Sequence, residues 1–197
     1  MVSEKHSCVF IHINRTGGAS IEQALGRDSK TKANHLSARH QARKLGMRQF
    51  REYFSFSIVR NPWEKMVSMF HHPAHQRFGH VSFDEWIKTL DSNERLRYTS
   101  NQLDWLTTKS WVWDVSKQRF SQKPESSLLM VDFVGRFERL QDDWNFVCEQ
   151  LEIPATKLPH RNKSDYGKSY QSFYTPESRQ IIAGRFERDI EYFDYIF

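Results

Sequence analysis

Short apolar runs alternate along this chain with longer stretches in which apolar positions return every third or fourth residue. Residues 8–13 and 54–59, rich in β-branched and aromatic side chains, read as buried strands, and 127–134 reads as a third. Helical spacing follows at 19 to about 25, at 36–45, onward from Asn61, at 82–90, and through Leu140, Trp144, Val147, Cys148 and Leu151. A last helix starts at Thr175-Pro176 and carries Ile182, Phe186, Ile190 and Phe193 on one face. Strands alternating with helices predict an α/β fold with a central, mainly parallel sheet flanked by helices.

Local chemistry sharpens several of these boundaries. Asn61-Pro62-Trp63-Glu64 combines an N-cap asparagine, proline at the first helical position and glutamate three residues after the cap. Ser82-Phe83-Asp84-Glu85 is a further capping box, while Ser37 suits the cap and Gly46 the stop of the helix over 36–45. After Asn61, the stripe Trp63, Met66, Val67, Phe70 turns Ser68 toward another side, where it can meet a ligand. Residues 92–126 show no clear period but hold Tyr98, Trp105, Trp111 and Trp113 among polar residues, as binding segments do.

At 197 residues and 38% hydrophobic, the chain can bury a proper core, most simply as one domain over 1–197. The strand-like run reached by Val9 leaves no room ahead of it for a signal peptide or membrane anchor, so a soluble, cytoplasmic protein is expected. Cys8 and Cys148 form neither a disulfide framework nor a metal-ligand spacing. The net charge of +5 is uneven: residues 27–51 hold eight Lys/Arg against Asp28 alone, which leaves about −2 for the rest. Such a stretch suits an anionic ligand, whether nucleotide, acidic glycan or nucleic acid, and equally a solvated helix face.

Candidate chemistry concentrates where the first two strands run into helices. The loop Asn14-Arg15-Thr16-Gly17-Gly18-Ala19-Ser20 lacks the Gly-x-x-x-x-Gly-Lys-Ser/Thr spacing of an ATPase loop. Its glycines nevertheless let backbone N–H groups wrap an anion, and Arg15, Thr16 and Ser20 add donors. Arg60 ends the second strand, with Ser68 two turns into the next helix, and an arginine so placed can grip a phosphate through two N–H groups. Two such turns at one edge of a parallel sheet predict neighbouring anion sites and a ligand with two separate phosphate-like groups.

Together these segments resemble the 5′-phosphosulfate loop and 3′-phosphate motif of carbohydrate sulfotransferases that use 3′-phosphoadenosine 5′-phosphosulfate (PAPS), in particular the uronyl 2-O-sulfotransferase branch with its bacterial and viral relatives. The resemblance runs on through Asn101-Gln102-Leu103-Asp104-Trp105-Leu106, Val134-Gly135-Arg136-Phe137-Glu138-Arg139-Leu140 and Leu158-Pro159-His160-Arg161-Asn162-Lys163-Ser164. It implies a three-layer, P-loop-like fold. It implies in-line sulfuryl transfer from PAPS to a hydroxyl-bearing acceptor, a glycan and possibly an anionic one, releasing 3′-phosphoadenosine 5′-phosphate (PAP), with no metal required and no nucleic acid or membrane span as partner.

By the same resemblance, Arg15, Thr16, Gly17, Gly18, Ala19 and Ser20 hold the 5′-phosphosulfate, and Arg60 and Ser68 hold the 3′-phosphate. Gly135, Arg136 and Phe137, with Arg161, Lys163 and Ser164, close around the adenosine or its phosphate. Arg15 stands where the family usually has lysine and is expected to stabilise charge on the leaving group as a planar fork instead of a compact ammonium. His35, in Asn34-His35-Leu36-Ser37, matches the motif bearing the proposed base. Pro73 interrupts the spacing of His71, His72, His75 and His80 as metal ligands, and the tryptophan-rich segment with 78–86 is expected to shape the acceptor groove. Two rival readings are a nucleotide-kinase-type phosphotransferase, disfavoured by the missing Gly-Lys-Ser/Thr, and a non-catalytic nucleotide- or polyanion-binding protein.

Overall fold

Side chains alternate across a strand, and in the first long strand every one of them is buried, so both faces must be covered. A computed structural model describes residues 1–27, 35–72, 81–90, 100–108, 111–114, 119–122, 128–159 and 168–197. Its main sheet has the order β1 (Val2–Ser3), β2 (Cys8–Ile11), β3 (Phe54–Val59), β6 (Phe133–Arg136). β2, β3 and β6 run parallel, with Phe10 opposite Phe56 and Phe56 opposite Phe133, and β1 is an antiparallel edge.

Cys8, Phe10, Phe56 and Ile58 face one apolar cluster, which also takes Ile21 of α1 (Gly18–Ala24) and Trp144 and Val147 of α7 (Leu140–Gln150). Val9, Ile11 and Val59 face the other cluster. There they meet α2 (Ala38–Leu45), α3 (Met47–Glu52), α4 (Pro62–Phe70), α5 (Phe83–Lys88), α6 (Leu103–Leu106) and α8 (Pro176–Arg185). The result is an α/β architecture in three layers, helices on either side of a mostly parallel sheet.

The capping chemistry acts as read at Asn61 and Ser82, whereas Ser37 takes the N-cap position of α2 without a side-chain cap bond, its Oγ meeting His40 Nδ1 at 2.7 Å instead. Asn61 accepts N–H bonds from Trp63 and Glu64 to open α4, and Ser82 with Glu85 forms the reciprocal box of α5. Three expectations need correction. The strand expected over 127–134 begins only at Phe133, because Asp132 first locks onto Ser55: its carboxylate accepts from Ser55 N–H and Oγ at 2.8 and 2.7 Å, which admits the chain to the sheet only there. The last helix is two helices, since buried Phe186 leaves helical geometry between α8 and α9 (Glu187–Tyr192). That break lets Asp189, itself buried, accept from the backbone N–H of Gln102 and Leu103. Finally, the stretch without a period contains α6 and a separate antiparallel pair, β4 (Trp111–Asp114) with β5 (Arg119–Gln122).

Candidate active site

Backbone geometry builds the first turn. Thr16, wholly buried, donates its hydroxyl to the Ile13 carbonyl at 2.8 Å and ties the loop back onto the end of β2. Gly17 sits at φ +80°, where a Cβ would also stand 2.7 Å from Leu140 Cδ2. A Cβ on Gly18 would stand 2.2 Å from His12 Cδ2, so the imidazole lies against the bare Cα. Arg15 has φ +66°, a left-handed conformation that non-glycine residues rarely adopt. Ser20 Oγ donates to the Pro159 carbonyl at 2.7 Å.

The second turn is held from behind by an amide clamp. Gln102 brackets the backbone of Arg60, accepting its N–H and donating to its carbonyl, both at 2.9 Å, and Asp189 in turn accepts from Gln102. The Arg60 guanidinium lies 3.9 Å over the Phe137 ring, donates through Nη1 to the Arg15 carbonyl at 3.0 Å and pairs through Nη2 with Glu64 at 2.7 Å. Its Nε is buried with no hydrogen-bond partner among the described residues. Ser68, also buried, accepts from Arg15 Nε and Nη2 at 3.0 and 2.8 Å.

A histidine pair, His12 buried and His35 half-buried, adjoins the first turn. His35 Nδ1 lies 3.1 Å from the His12 carbonyl, and the two rings meet edge-on with centroids 4.4 Å apart. Behind them His12 Nδ1 is 3.0 Å from Glu22 Oε1, close enough for an ion pair though out of line for a hydrogen bond, and the other Glu22 oxygen pairs with Arg27. Burial pushes the Glu22 carboxyl upward, but the approach and charge of His12, with the charge of Arg27, outweigh it and hold the group below its usual range. Burial first, then the charge of His12, lowers the His35 imidazole below its ordinary 6.5.

Both turns open on one cavity of about 250 Å³. Arg15, Gly17, Gly18, Ala19 and Ser20 line it from the first turn, and Arg60 and Ser68 from the second. His35 and Phe137 are the other expected residues in the lining, and His12, Asn14 and His72, to which no site role was given, join them. His72 was within reach of that reasoning, since it lies four residues beyond Ser68 and so on the same side of a helical path. His12 carried no such signal, because a histidine inside an apolar strand run reads as core.

A sequence model of the Sulfotransferase family matches residues 1–196. The chain belongs to the sulfotransferase family. It is also similar to an uncharacterized protein of Archaeoglobus fulgidus, 24% identical over 113 residues that cover 56% of this chain and 78% of that one. No solved structure matches it.

Sulfuryl transfer asks a sulfotransferase for donors around an anion and a group that can take the acceptor's proton, and the cavity holds both kinds. Other expected residues stand elsewhere in this sulfotransferase. Thr16 is turned inward. Gly135 lines no part of the cavity and instead admits Ile58 and Asp143, which a Cβ would meet at 2.7 and 2.9 Å. Arg136 donates its N–H to Asp143 and its guanidinium to the Phe193 carbonyl, both at 2.5 Å, and also lies outside the lining. Arg161, Lys163 and Ser164 fall outside the described residues, as do His75 and His80. Phe83, Trp86 and Trp105, expected beside the acceptor, are packed in the core. Among the described residues no group of His, Cys, Asp or Glu is arranged to hold a metal, and no helix is long and apolar enough to cross a membrane.

Proposed function

We propose that the protein transfers the sulfuryl group of PAPS to a carbohydrate hydroxyl, with His35 as general base and PAP as the second product. The observation that carries this reading is Arg60, which lines a cavity shared by two strand-to-helix turns and whose buried Nε has no partner among the described residues. Leaving such a group unmatched costs about 1–3 kcal/mol or more, and an anion there removes the penalty. The glycine turn supports a further anion, because Gly17 and Gly18 line the cavity with bare backbone at the start of α1, while Leu140, Phe137 and His12 hold the space a Cβ there would need. PAPS carries anionic groups at both ends of its ribose, which fits residues divided in this way.

Arg60 and Ser68 would hold the 3′-phosphate, and the amides of residues 17–19 the 5′-phosphosulfate, the Ser20 N–H being donated to the Gly17 carbonyl. PAPS supplies a sulfur that bonds the acceptor oxygen as its bond to the 5′-phosphate oxygen breaks. The acceptor's proton passes to His35. With Nδ1–H donated to the His12 carbonyl, Nε2 is the nitrogen that carries the lone pair, and the lowered pKa keeps it unprotonated at neutral pH. Backbone amides and guanidinium groups offset the charge growing on the leaving group. An anionic glycan as acceptor is supported by the basic stretch around His35 and by the resemblance of the motifs.

Calorimetric titration with PAP, alongside sulfate transfer from PAPS to a panel of glycans, tests the reading. PAP binding and transfer to at least one glycan are expected, and Arg60→Ala should weaken PAP by about ten- to a hundredfold, the loss of hydrogen bonds to a charged group. Tight PAP binding without transfer to any acceptor would make this a nucleotide-binding protein; no PAP binding overturns the reading.

A further inference from the structure

We infer that Gln102 is a positioning residue for the 3′-phosphate end of the nucleotide site, acting through the backbone of Arg60, and that Asp189 sets the direction of its amide. The inference rests on the PAPS reading above and adds to it a residue that touches no ligand.

The first ground is where β3 runs out of neighbours. Its last pair with β2 is Ser57 with Ile11, and its last with β6 is Val59 with Arg136. Arg60 follows one residue past that ladder, is buried, and still has a backbone N–H and carbonyl to satisfy. Gln102, itself buried, satisfies both, accepting through Oε1 and donating through Nε2, each at 2.9 Å. A side-chain amide sets one acceptor beside one donor, which is what a strand residue offers its opposite number in a hydrogen-bonded pair. Gln102 thereby extends the ladder to Arg60, which lines the cavity.

The second ground is that the amide can point only one way. Asp189, buried on α9, accepts from the Gln102 backbone N–H at 2.6 Å, from that of Leu103 at 3.0 Å and from Gln102 Nε2 at 3.3 Å. Both protons of Nε2 are then used, one on Asp189 and one on the Arg60 carbonyl, which leaves Oε1 for the Arg60 N–H. Turned over, the amide would set oxygen against oxygen at Asp189 and at the Arg60 carbonyl. Lys65, buried on α4, brings the opposite charge to Asp189.

The guanidinium is therefore fixed from both ends. The Arg15 carbonyl and Glu64 hold Nη1 and Nη2 at the tip, and Gln102 holds the backbone at the root. Between them lies Nε, the donor without a partner among the described residues.

Titration calorimetry with PAP and with adenosine 5′-monophosphate, which differ only in the 3′-phosphate, tests the role without requiring turnover. Gln102→Glu keeps the acceptor and loses both donors, and Gln102→Leu loses all three. Each should weaken PAP by about tenfold, as a displaced hydrogen bond to a charged group does, and change affinity for the monophosphate by less than about twofold. In an Arg60→Ala background the same substitutions should alter PAP affinity by less than about twofold, because their effect passes through the missing side chain. Equal losses for the two nucleotides would make Gln102 a general support of the fold and overturn the inference. So would a full loss of PAP affinity that persists without the Arg60 side chain, or an unchanged preference for PAP in a folded variant. Failure of wild type to bind PAP would instead sink the PAPS reading, and this inference with it.

Discussion

Replacing His35 by alanine is expected to lower the turnover number by about 10²–10⁴-fold, the usual contribution of a positioned general base, while PAP affinity stays within about threefold. The split follows from the site: His35 touches the cavity next to the first turn, and the groups assigned to the 3′-phosphate are on α4 and at the end of β3. Millimolar imidazole should restore part of the lost rate. A variant that keeps its rate within a few-fold would move the base elsewhere in the cavity, to His12 or His72.

The same histidine sets a pH profile. A base works only when unprotonated, so kcat/KM must fall as pH drops through its pKa. Burial and the charge of His12 lower that pKa, against the opposing pull of the hydrogen bond to the His12 carbonyl and the charge of Glu22. The acidic limb should therefore lie below the ordinary histidine value of 6.5, with a flat rate through neutrality. A limb above that value would contradict the assignment.

Gly18→Ala is expected to damage both fold and chemistry. The new methyl would stand 2.2 Å from His12 Cδ2 and 2.4 Å from Nε2. The imidazole has no easy retreat: Glu22 faces its Nδ1 at 3.0 Å, Phe10 stacks at 5.6 Å and His35 meets it at 4.4 Å. Overpacking of this kind costs about 1–3 kcal/mol, enough to lower the melting temperature by several degrees. Transfer should fall further than stability explains, because displacing His12 also disturbs the carbonyl that orients His35. Gly184→Ala in α8, with nothing within 4 Å of the added methyl, is the control and should be neutral or stabilising by about 0.5–1 kcal/mol. Equal melting temperatures and rates for the two variants would show that the contact at Gly18 is dispensable.

Residues that act through their neighbours in the chain were legible before any coordinates. Asn61 and Ser82 cap their helices because a side-chain oxygen reaches an amide two or three residues away. β3 spans 54–59 as its apolar pattern indicates. Errors arose where distant partners intervene. Asp132 delays β6 by binding Ser55, and the last helix breaks at Phe186 where Asp189 meets Gln102 and Leu103, contacts that no local window contains.

The candidate site divides along the same line. Glycines at 17 and 18, an arginine at 60 and a serine two helical turns later declare their chemistry in order along the chain, since backbone freedom and donor type belong to single residues. Whether a side chain turns inward or toward the cavity depends on what packs around it. Thr16 and Arg136 therefore spend their donors on carbonyls within the fold, Arg15 lies on Ser68, and Glu22, silent in the sequence, stands behind His12. The amino-acid order by itself determined the α/β layering and the two turns that meet at the cavity. Only the tertiary structure decided which of these donors face the cavity and which are spent within the fold, because that is set by the partners that folding brings within hydrogen-bond distance.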